Sequence, residues 1–462
     1  MRSIAEKLIN LFCNEFVVFA IALILHVSIV FALGHYQAPA LWENGVIAKS
    51  LLDGNGFAMP SYKLPTGNKD AMIEHMENSK GTLPLLMKPQ PTSNQAPGYP
   101  FLLFITWKLL GRNTAAYLTL SLIQAILVSS TVLPVGWLTR RWFGERAGIL
   151  AMWIVCFMPL YAWFATRVFQ PAIIITFHPW LLVGWLGLPE AHSLRRTVGV
   201  GLATGLAGLF QPVLLGVYGL MGVILLLKSW ARRNIADIRM LVLAASLVLL
   251  ILTPWTVRNY RVHGQLVPIR NCFSKEFWIG NNPQATGTSV LKGGKKSLIQ
   301  TIPPKFLNFT EMQLMKALQR DAMHYARSEP TAFVMRTLKK IVWFWTAVPR
   351  AYLISTGEAA RLKFYWFQIC YWFGFLLLAG FARILHGRFP GEYTMALIVY
   401  FVVYSIIYGL THVGHARFRG EMEYIVIPAV AQGISLLWDI RNRFLLMKTR
   451  WNRMSATLTF QP

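Results

Sequence analysis

Residues 16–34, FVVFAIALILHVSIVFALG, run for nineteen positions without a charged side chain. That is close to the ~20 apolar residues a helix needs to cross a bilayer. Similar blocks recur near 115–138, 147–165, 171–188, 197–212, 213–227, 240–256, 366–385, 393–412 and 423–440. Only 14% of the 462 residues are charged, against ~25% in a soluble domain. The chain therefore reads as an all-α integral membrane protein, one transmembrane domain over 1–462. Two shorter apolar pieces, 99–111 and 341–349, are membrane-surface helices, re-entrant segments or further spans, giving ten to thirteen crossings. The first block follows a short basic start (Arg2, Lys7) but exceeds the ~7–15 residues of a signal-peptide core, so it reads as an uncleaved first helix.

The short connections orient the bundle. TRRWFGER (139–146), KSWARRNIADIR (228–239), RILHGRF (383–389) and the tail RNRFLLMKTRWNR (441–453) are rich in Lys and Arg and fall on the cytoplasmic side by the positive-inside rule. The long segments 35–98 and 257–333 then form the first and second extracytoplasmic loops of a cytoplasmic membrane protein. The net charge of +26 fits loops facing anionic lipid; no basic stripe interleaved with aromatics in a polar domain indicates nucleic acid. Cys13, Cys156, Cys272 and Cys370 are far apart and form no CxxC pair or disulfide framework.

Within the spans His26, Gln124, His178 and Gln211 are the notable polar residues, expected as interhelical hydrogen bonds. No acid sits near a span midpoint, as an ion-coupled transporter would require. Chemistry-bearing residues collect instead on the loop side, in four pieces. LWENGVIAKSLLDGNGF (41–57) has apolar Val46, Ile47, Leu51 and Leu52 at helical spacing, closed by Gly54 and Gly56, with Glu43 in the first turn, where a carboxylate also complements the helix dipole. KPQPTSNQAPGYPFLLF (88–104) is a Pro-rich return to the membrane. TPWTVRNYRVHGQLVPIRNCFSKEFWIGNNP (253–283) carries Arg258 and Arg261 at i, i+3, suited to a phosphodiester or to lipid headgroups. THVGHARFRGEMEYIVIP (411–428) packs His412, His415, Arg417, Arg419, Glu421 and Glu423 between two spans. Its histidines and arginines suit an anionic headgroup; its histidines and glutamates can hold a divalent metal, although the spacing matches no zinc motif.

Taken in order, WENGVIAKSLLDGNGF, APGYPFLLFITWKLLG, RRWFGERAGILAMWI, TPWTVRNYRVHGQLVPIRN…GNNP and HARFRGEMEYIVIP resemble the bacterial proteins related to dolichyl-phosphate-mannose-protein mannosyltransferases. These are the glycosyltransferase family 39 type, to which the lipid A aminoarabinose transferases are related, and the likeness runs from about residue 16 to 440. The resemblance implies a GT-C-type bundle with catalytic loops and short membrane-surface helices on the extracytoplasmic side. It implies transfer of a sugar from a polyprenyl-phosphate donor to a lipid, glycan or protein acceptor. By position Glu43 is the implied catalytic base. Arg258, Arg261, His415, Arg417 and Arg419 are the implied donor-phosphate ligands, and Asn281, Asn282, Gln170 and Tyr99 candidate donor or acceptor contacts. The family often has Asp-Glu in its first loop where this chain has Trp42-Glu43, and an acid where it has Gln170.

One base acting in a direct displacement implies inversion at the anomeric carbon. Arginines screening a monophosphate leaving group need no cofactor, so none is required and a divalent metal is not indicated. Two other readings stay open: a lipid-linked-sugar transporter, and a catalytically inactive membrane protein of the same fold.

Overall fold

The computed structural model describes residues 13–60, 89–288, 309–346, 359–412 and 417–458. The helices are α1 (Glu15–Leu33), α2 (Trp42–Leu52), α3 (Gly98–Leu110), α4 (Thr114–Ser129), α5 (Val132–Phe143), α6 (Glu145–Cys156), α7 (Pro159–Ala165), α8 (Pro171–Leu186) and α9 (Leu194–Phe210). There follow α10 (Val213–Ala231), α11 (Ile235–His263), α12 (Phe273–Gly280), α13 (Glu311–Ser328), α14 (Pro330–Thr346), α15 (Ala359–His386), α16 (Gly391–Leu410) and α17 (Ile427–Leu458). One short antiparallel pair, β1 (Ala58–Pro60) with β2 (Pro89–Pro91), is aligned Met59 to Gln90.

Hydrogen bonds and ion pairs define the two ends of the bundle. At one end Arg140 bridges Glu15 (2.6 Å) and Glu145 (3.0 Å), and Arg141 bridges Glu190 and Glu392. There Arg146 also pairs with Asp439, and His192 with Asp237 at 2.6 Å. This is the short-loop face, holding the basic connections. At the other end His35 meets Thr166 (2.9 Å), Arg270 meets Gln211 (3.5 Å), and Glu276 meets His412 (3.1 Å). This is the loop face.

Among the described residues eight helices are long and apolar enough to cross a membrane, or nine with the bent pair α6–α7 taken as one span. α9, with 17 residues, also runs from Ser193 beside the short-loop face to Gln211 at the loop face. With it, ten helical segments among the described residues run between the two faces, the lower end of the sequence expectation. Residues 99–111 form α3, too short to cross, with Ile105 and Leu109 exposed on the loop side. The second piece, 341–349, is in its described part the end of α14.

Three of the four lone polar residues of the spans make interhelical bonds, as their isolation in apolar sequence implied, whereas Gln211 ends α9 at the loop face and accepts from Arg270. His26 meets Ser129 at 2.9 Å, Gln124 accepts from Tyr99 at 2.9 Å, and His178 meets Tyr400 and Tyr404, each at 2.8 Å. Around them packs the main core, with Val18, Ala22, Ala151, Tyr218, Tyr400 and Val430 fully buried.

The second loop begins later than 257, because α11 continues to His263 through Pro254. Pro254 has no N–H to give the preceding turn, and the hydroxyls of Thr253 and Thr256 donate to Leu249 O (2.7 Å) and Leu252 O (3.0 Å) around it. Such side-chain donors let a proline sit inside a membrane helix. Arg258 and Arg261 therefore stand on the last turns of a helix.

The Arg141 clamp predicts a stability effect. Arg141→Ala leaves Glu190 and Glu392 without their shared cation, a loss of about 0.5–2 kcal/mol for two solvent-screened pairs. Thermal unfolding in detergent should fall by several degrees for Arg141→Ala and stay unchanged for the exposed Arg195→Ala.

Candidate functional site

The site is built on α2. Trp42 has φ 50°, in the left-handed region where a side chain is strained. The turn is tight enough that a Cβ on Gly45 would lie 2.4 Å from Leu41 Cβ, so any larger residue at 45 must displace Leu41. This kinked entry sends Asn44, Ile47 and Ala48 inward and leaves Trp42 exposed. Ile47 packs with Phe57, Met59, Ala96, Trp255 and Ile269, and Ala48 with Tyr99, Leu103, Val168 and Phe210. Glu43, half-buried at the start of this face, has no hydrogen-bond or ionic partner among the described residues.

The return of the first loop is clamped. Arg258 donates to Thr92 O at 2.7 Å and Phe57 O at 2.8 Å, and its guanidinium lies over the Trp255 ring at 4.9 Å. Glu311 accepts from Ser93 N and Ser93 Oγ, both at 2.9 Å, and from Thr92 Oγ1 at 2.5 Å. Asn271 N donates to Ser93 O at 2.7 Å. Residues 265–269 form no strand; the segment is tied to α11 by Trp255 Nε1 and Asn259 Nδ2 donating to Ile269 O at 2.8 and 3.0 Å. Against this tight clamping, Asn94 and Asn44 are 3% and 4% exposed, and Asn94 Oδ1, Asn94 Nδ2 and Asn44 Oδ1 have no partner. Each orphaned group of this kind costs about 1–3 kcal/mol.

A second rim comes from the α7–α8 turn. Leu41 and Tyr36 pack with Val168 and Tyr99, which brings residues 166–170 beside α2. Gln124 Nε2 donates to Arg167 O, and the Arg167 guanidinium stacks on Trp163 at 4.3 Å. Burial, then the charge of Arg167, lower the His35 pKa, so His35 is neutral at pH 7. Gln170 is half-buried and caps α8 through its carbonyl, which accepts from Ile173 N at 3.0 Å.

The third part lies at α12 and the end of α16. Arg270 donates to Cys272 Sγ at 2.6 Å and to Gln211 Oε1 at 3.5 Å, with no carboxylate in hydrogen-bond contact. Glu276 pairs with His412 (3.1 Å) and Lys275 (3.7 Å). Burial alone would raise the Glu276 carboxyl, but Lys275, the His412 hydrogen bond and Arg270 outweigh it and hold the group well below the usual carboxylate range. Gly280 touches the backbone of Thr411, where a Cβ would come within 1.7 Å of its carbonyl. Fully buried Lys340 donates to Thr411 O (2.8 Å) and Asn281 Oδ1 (3.1 Å). Burial, then Arg336, bring the Lys340 ammonium down to about 7.

These positions sort the sequence candidates. Glu43, Tyr99 and Gln170 border one region through the packing of α2, α3 and the α7–α8 turn. Arg258 is committed to the loop backbone, and Arg261, also expected to share its direction, is exposed on the next turn. Arg419 is buried against Glu423 (2.9 Å) and over Trp372 (4.7 Å), with Tyr371 donating to the same carboxylate. The carboxamide of Asn281 caps Phe277 O and Leu410 O, and that of Asn282 caps Trp278 O. Arg417 opens the short turn Arg417–Gly420, and His415 lies outside the described residues. Of the groups suited to a metal, His412 and Glu423 are bound to different partners, Glu276 and Arg419. Arg270, Lys275, Glu276 and Arg167 were not singled out from sequence. The only signal was that Arg270 and Glu276 flank the Cys272 turn in the most specific motif.

Among the described carboxylates of the loop face, Asp53, Glu276, Glu311, Asp321 and Glu423 each have a polar partner. Glu421 is buried and engaged within the fold, and Glu329 is exposed at the end of α13; Glu43 is the half-buried carboxylate with no partner among the described residues.

Neither a family model nor a curated protein sequence matches the chain. Solved membrane proteins share its outline. An Archaeoglobus fulgidus oligosaccharyltransferase tethered with an acceptor peptide aligns over 93% of this chain and 50% of its own, at 14% identity and TM-score 0.49. The Archaeoglobus fulgidus oligosaccharyltransferase AglB, in complex with an inhibitory peptide and a dolichol-phosphate, aligns over 94% and 52%, at 13% identity and TM-score 0.49. ArnT from Cupriavidus metallidurans bound to undecaprenyl phosphate aligns over 90% and 76%, at 13% identity and TM-score 0.37. The chain thus spans about half the length of the oligosaccharyltransferases. At these scores the likeness is one of bundle outline and carries no argument about activity.

Two outcomes follow from the geometry. Gly45→Ala pushes Leu41 away and turns Glu43, so any Glu43-dependent activity should drop at least tenfold while the melting temperature falls only by the ~1–3 kcal/mol of an overpacked contact. For Glu276, whose folded pKa is depressed below its ordinary 4.5, the stabilisation is present above that value and is lost as pH falls below about 4. The stability difference between the wild type and Glu276→Gln should therefore hold from pH 8 to 5 and shrink below about 4 in pH-dependent melting.

Proposed function

We propose that the protein is an extracytoplasmic glycosyltransferase of the GT-C type, moving a sugar from a polyprenyl-phosphate donor to a lipid, glycan or protein acceptor with inversion. The observation that carries this reading is Glu43: a half-buried carboxylate with no described partner, on a strained turn at the membrane surface. Carboxylates held for structure are paired, as Glu311 and Glu423 are; an unpaired one in a packed rim is available to take a proton.

In the proposed reaction Glu43 accepts a proton from the acceptor's hydroxyl or amine as that oxygen or nitrogen forms its bond to the anomeric carbon. The bond from anomeric carbon to phosphate oxygen breaks, and polyprenyl phosphate leaves with the electron pair. Arg270 is the guanidinium best placed by chemistry to meet that charge. It uses two of its donors, on a thiol and an amide, and keeps others free for phosphate oxygens. Lys275 adds positive charge beside it, while Arg261 and Arg417 remain candidates for the lipid's outer phosphate oxygens. Ile47, one turn from Glu43, and Ile269, next to Arg270, belong to one apolar cluster, which supports a site between them. The exposed apolar flanks of α3 and α11 border this site with surface suited to an isoprenoid chain.

The test is transfer from polyprenyl-phosphate sugars in proteoliposomes. Glu43→Gln should lower turnover by about 10²–10⁴-fold, the usual contribution of a general base, with polyprenyl-phosphate binding retained. Full turnover in that variant rules out Glu43 as base, and movement of the intact glycolipid across the bilayer without transfer favours the transporter reading.

A further inference from the structure

The Arg258, Glu311 and Asn271 contacts fix residues 92–93 from three sides, and Asn94 N is held by Thr92 Oγ1 at 3.0 Å. The backbone around Asn94 is thus among the most restrained on the loop face, yet both polar atoms of its carboxamide are buried and unmatched. Asn44 Oδ1 is in the same condition, on the residue after Glu43. The two belong to one packed junction. Asn44 shares the inward face of α2 with Ile47, and Ile47 shares an apolar cluster with Phe57 and with Ala96, two residues past Asn94. Thr92 N donates to Phe57 O at 3.1 Å, drawing the 92–96 segment along the strand that meets α2.

Buried polar groups in native proteins are matched, and the few exceptions call for an explanation. A rigid frame around unmatched carboxamides matches a site built in advance for a polar ligand. The chemistry of the frame narrows that ligand. A carboxamide offers a neutral donor and a neutral acceptor, the complement of a hydroxyl, which is both. A phosphate would call for cations, and Arg258, the nearby guanidinium, is already bound to two carbonyls. An isoprenoid chain would leave the carboxamides unmatched.

We propose that Asn44 and Asn94 bind ring hydroxyls of the transferred sugar, so that these two residues set which sugar is accepted while Glu43 performs the proton transfer. This rests on the glycosyltransferase reading above and assigns the sugar subsite within it. A site that hydrogen-bonds a particular hydroxyl discriminates strongly against a ligand lacking it or placing it elsewhere, because the buried carboxamide is then left unmatched.

The experiment measures binding apart from turnover. The full-length protein in nanodiscs is titrated with polyprenyl phosphate and with polyprenyl-phosphate glucose, mannose, galactose and 4-aminoarabinose. The wild type is expected to bind at least one glycosylated lipid tenfold or more tightly than the bare phosphate. Asn94→Ala and Asn44→Ala should each remove most of that increment while binding of bare polyprenyl phosphate stays within twofold. Asn94→Gln, which keeps the carboxamide but moves it, should change the order of preference among the four sugars. An increment that survives in both alanine variants, or that no sugar gives in the wild type, overturns the assignment. So does equal loss of glycosylated and bare lipid, which means only that the loop has collapsed; unaltered melting temperature in the variants excludes that collapse. Because transfer is scored separately, sugar binding without transfer contradicts the enzyme reading alone, and transfer with an unchanged increment contradicts the carboxamide assignment alone.

Discussion

The loop face depends on one guanidinium. Arg258 leaves the last turns of a membrane helix, lies over the Trp255 ring and gives two donors to the carbonyls of Phe57 and Thr92. Those carbonyls belong to the two ends of the first loop, separated in sequence by 58–91. By joining them to the top of α11 it turns a long excursion into a fixed wall, against which α2 can pack. A lysine could not do the same, because a single ammonium lacks the planar fork that reaches two carbonyls while stacking on an indole. The residue expected to grip a ligand therefore grips the protein, and its work is to make the ligand's surroundings rigid.

The rest of the face follows the same division. Glu311, Lys340, Asn281 and the Arg419–Glu423 pair are spent on backbone and on each other, in places where an unmatched polar group would destabilise a thin layer of protein above the membrane. Glu43, Asn44, Asn94 and Arg270 are the groups left with capacity. Their neighbours in sequence Ile47, Ala96 and Ile269 share one apolar cluster. The strained backbone at Trp42 and the crowded Gly45 aim the first two of them.

Much of this was legible in the sequence because membranes simplify the code. Uninterrupted apolar runs located the crossings, and lone His26, Gln124 and His178 announced interhelical hydrogen bonds, since no other partner exists at that depth. Basic short connections all gathered at one end. Of the proposed site only Glu43 was singled out by the sequence. Sequence spacing said that Arg258 and Arg261 could face one way, but Pro254 inside α11 and the returning loop decided where Arg258 points. Nothing local distinguishes an arginine that will stack on its own protein from one that will meet a phosphate. Arg270 was passed over for the converse reason: its hydrogen bonds go to a thiol and an amide while the nearby Glu276 carboxylate pairs with His412 and Lys275, which only the assembled fold reveals. Asn94 sat in a segment that reads as a Pro-rich turn, and its burial depends on Glu311, more than two hundred positions away.

The proposed reaction requires a sugar phosphate between Glu43 and Arg270. Its most direct test is an experimental structure of the protein in nanodiscs with a polyprenyl-phosphate sugar bound to the Glu43→Gln variant. The account predicts the phosphate in hydrogen-bond contact with Arg270, and the anomeric carbon on the side facing residue 43. A phosphate held instead by Arg261 and Arg417, with residue 43 out of reach of the sugar, would contradict it.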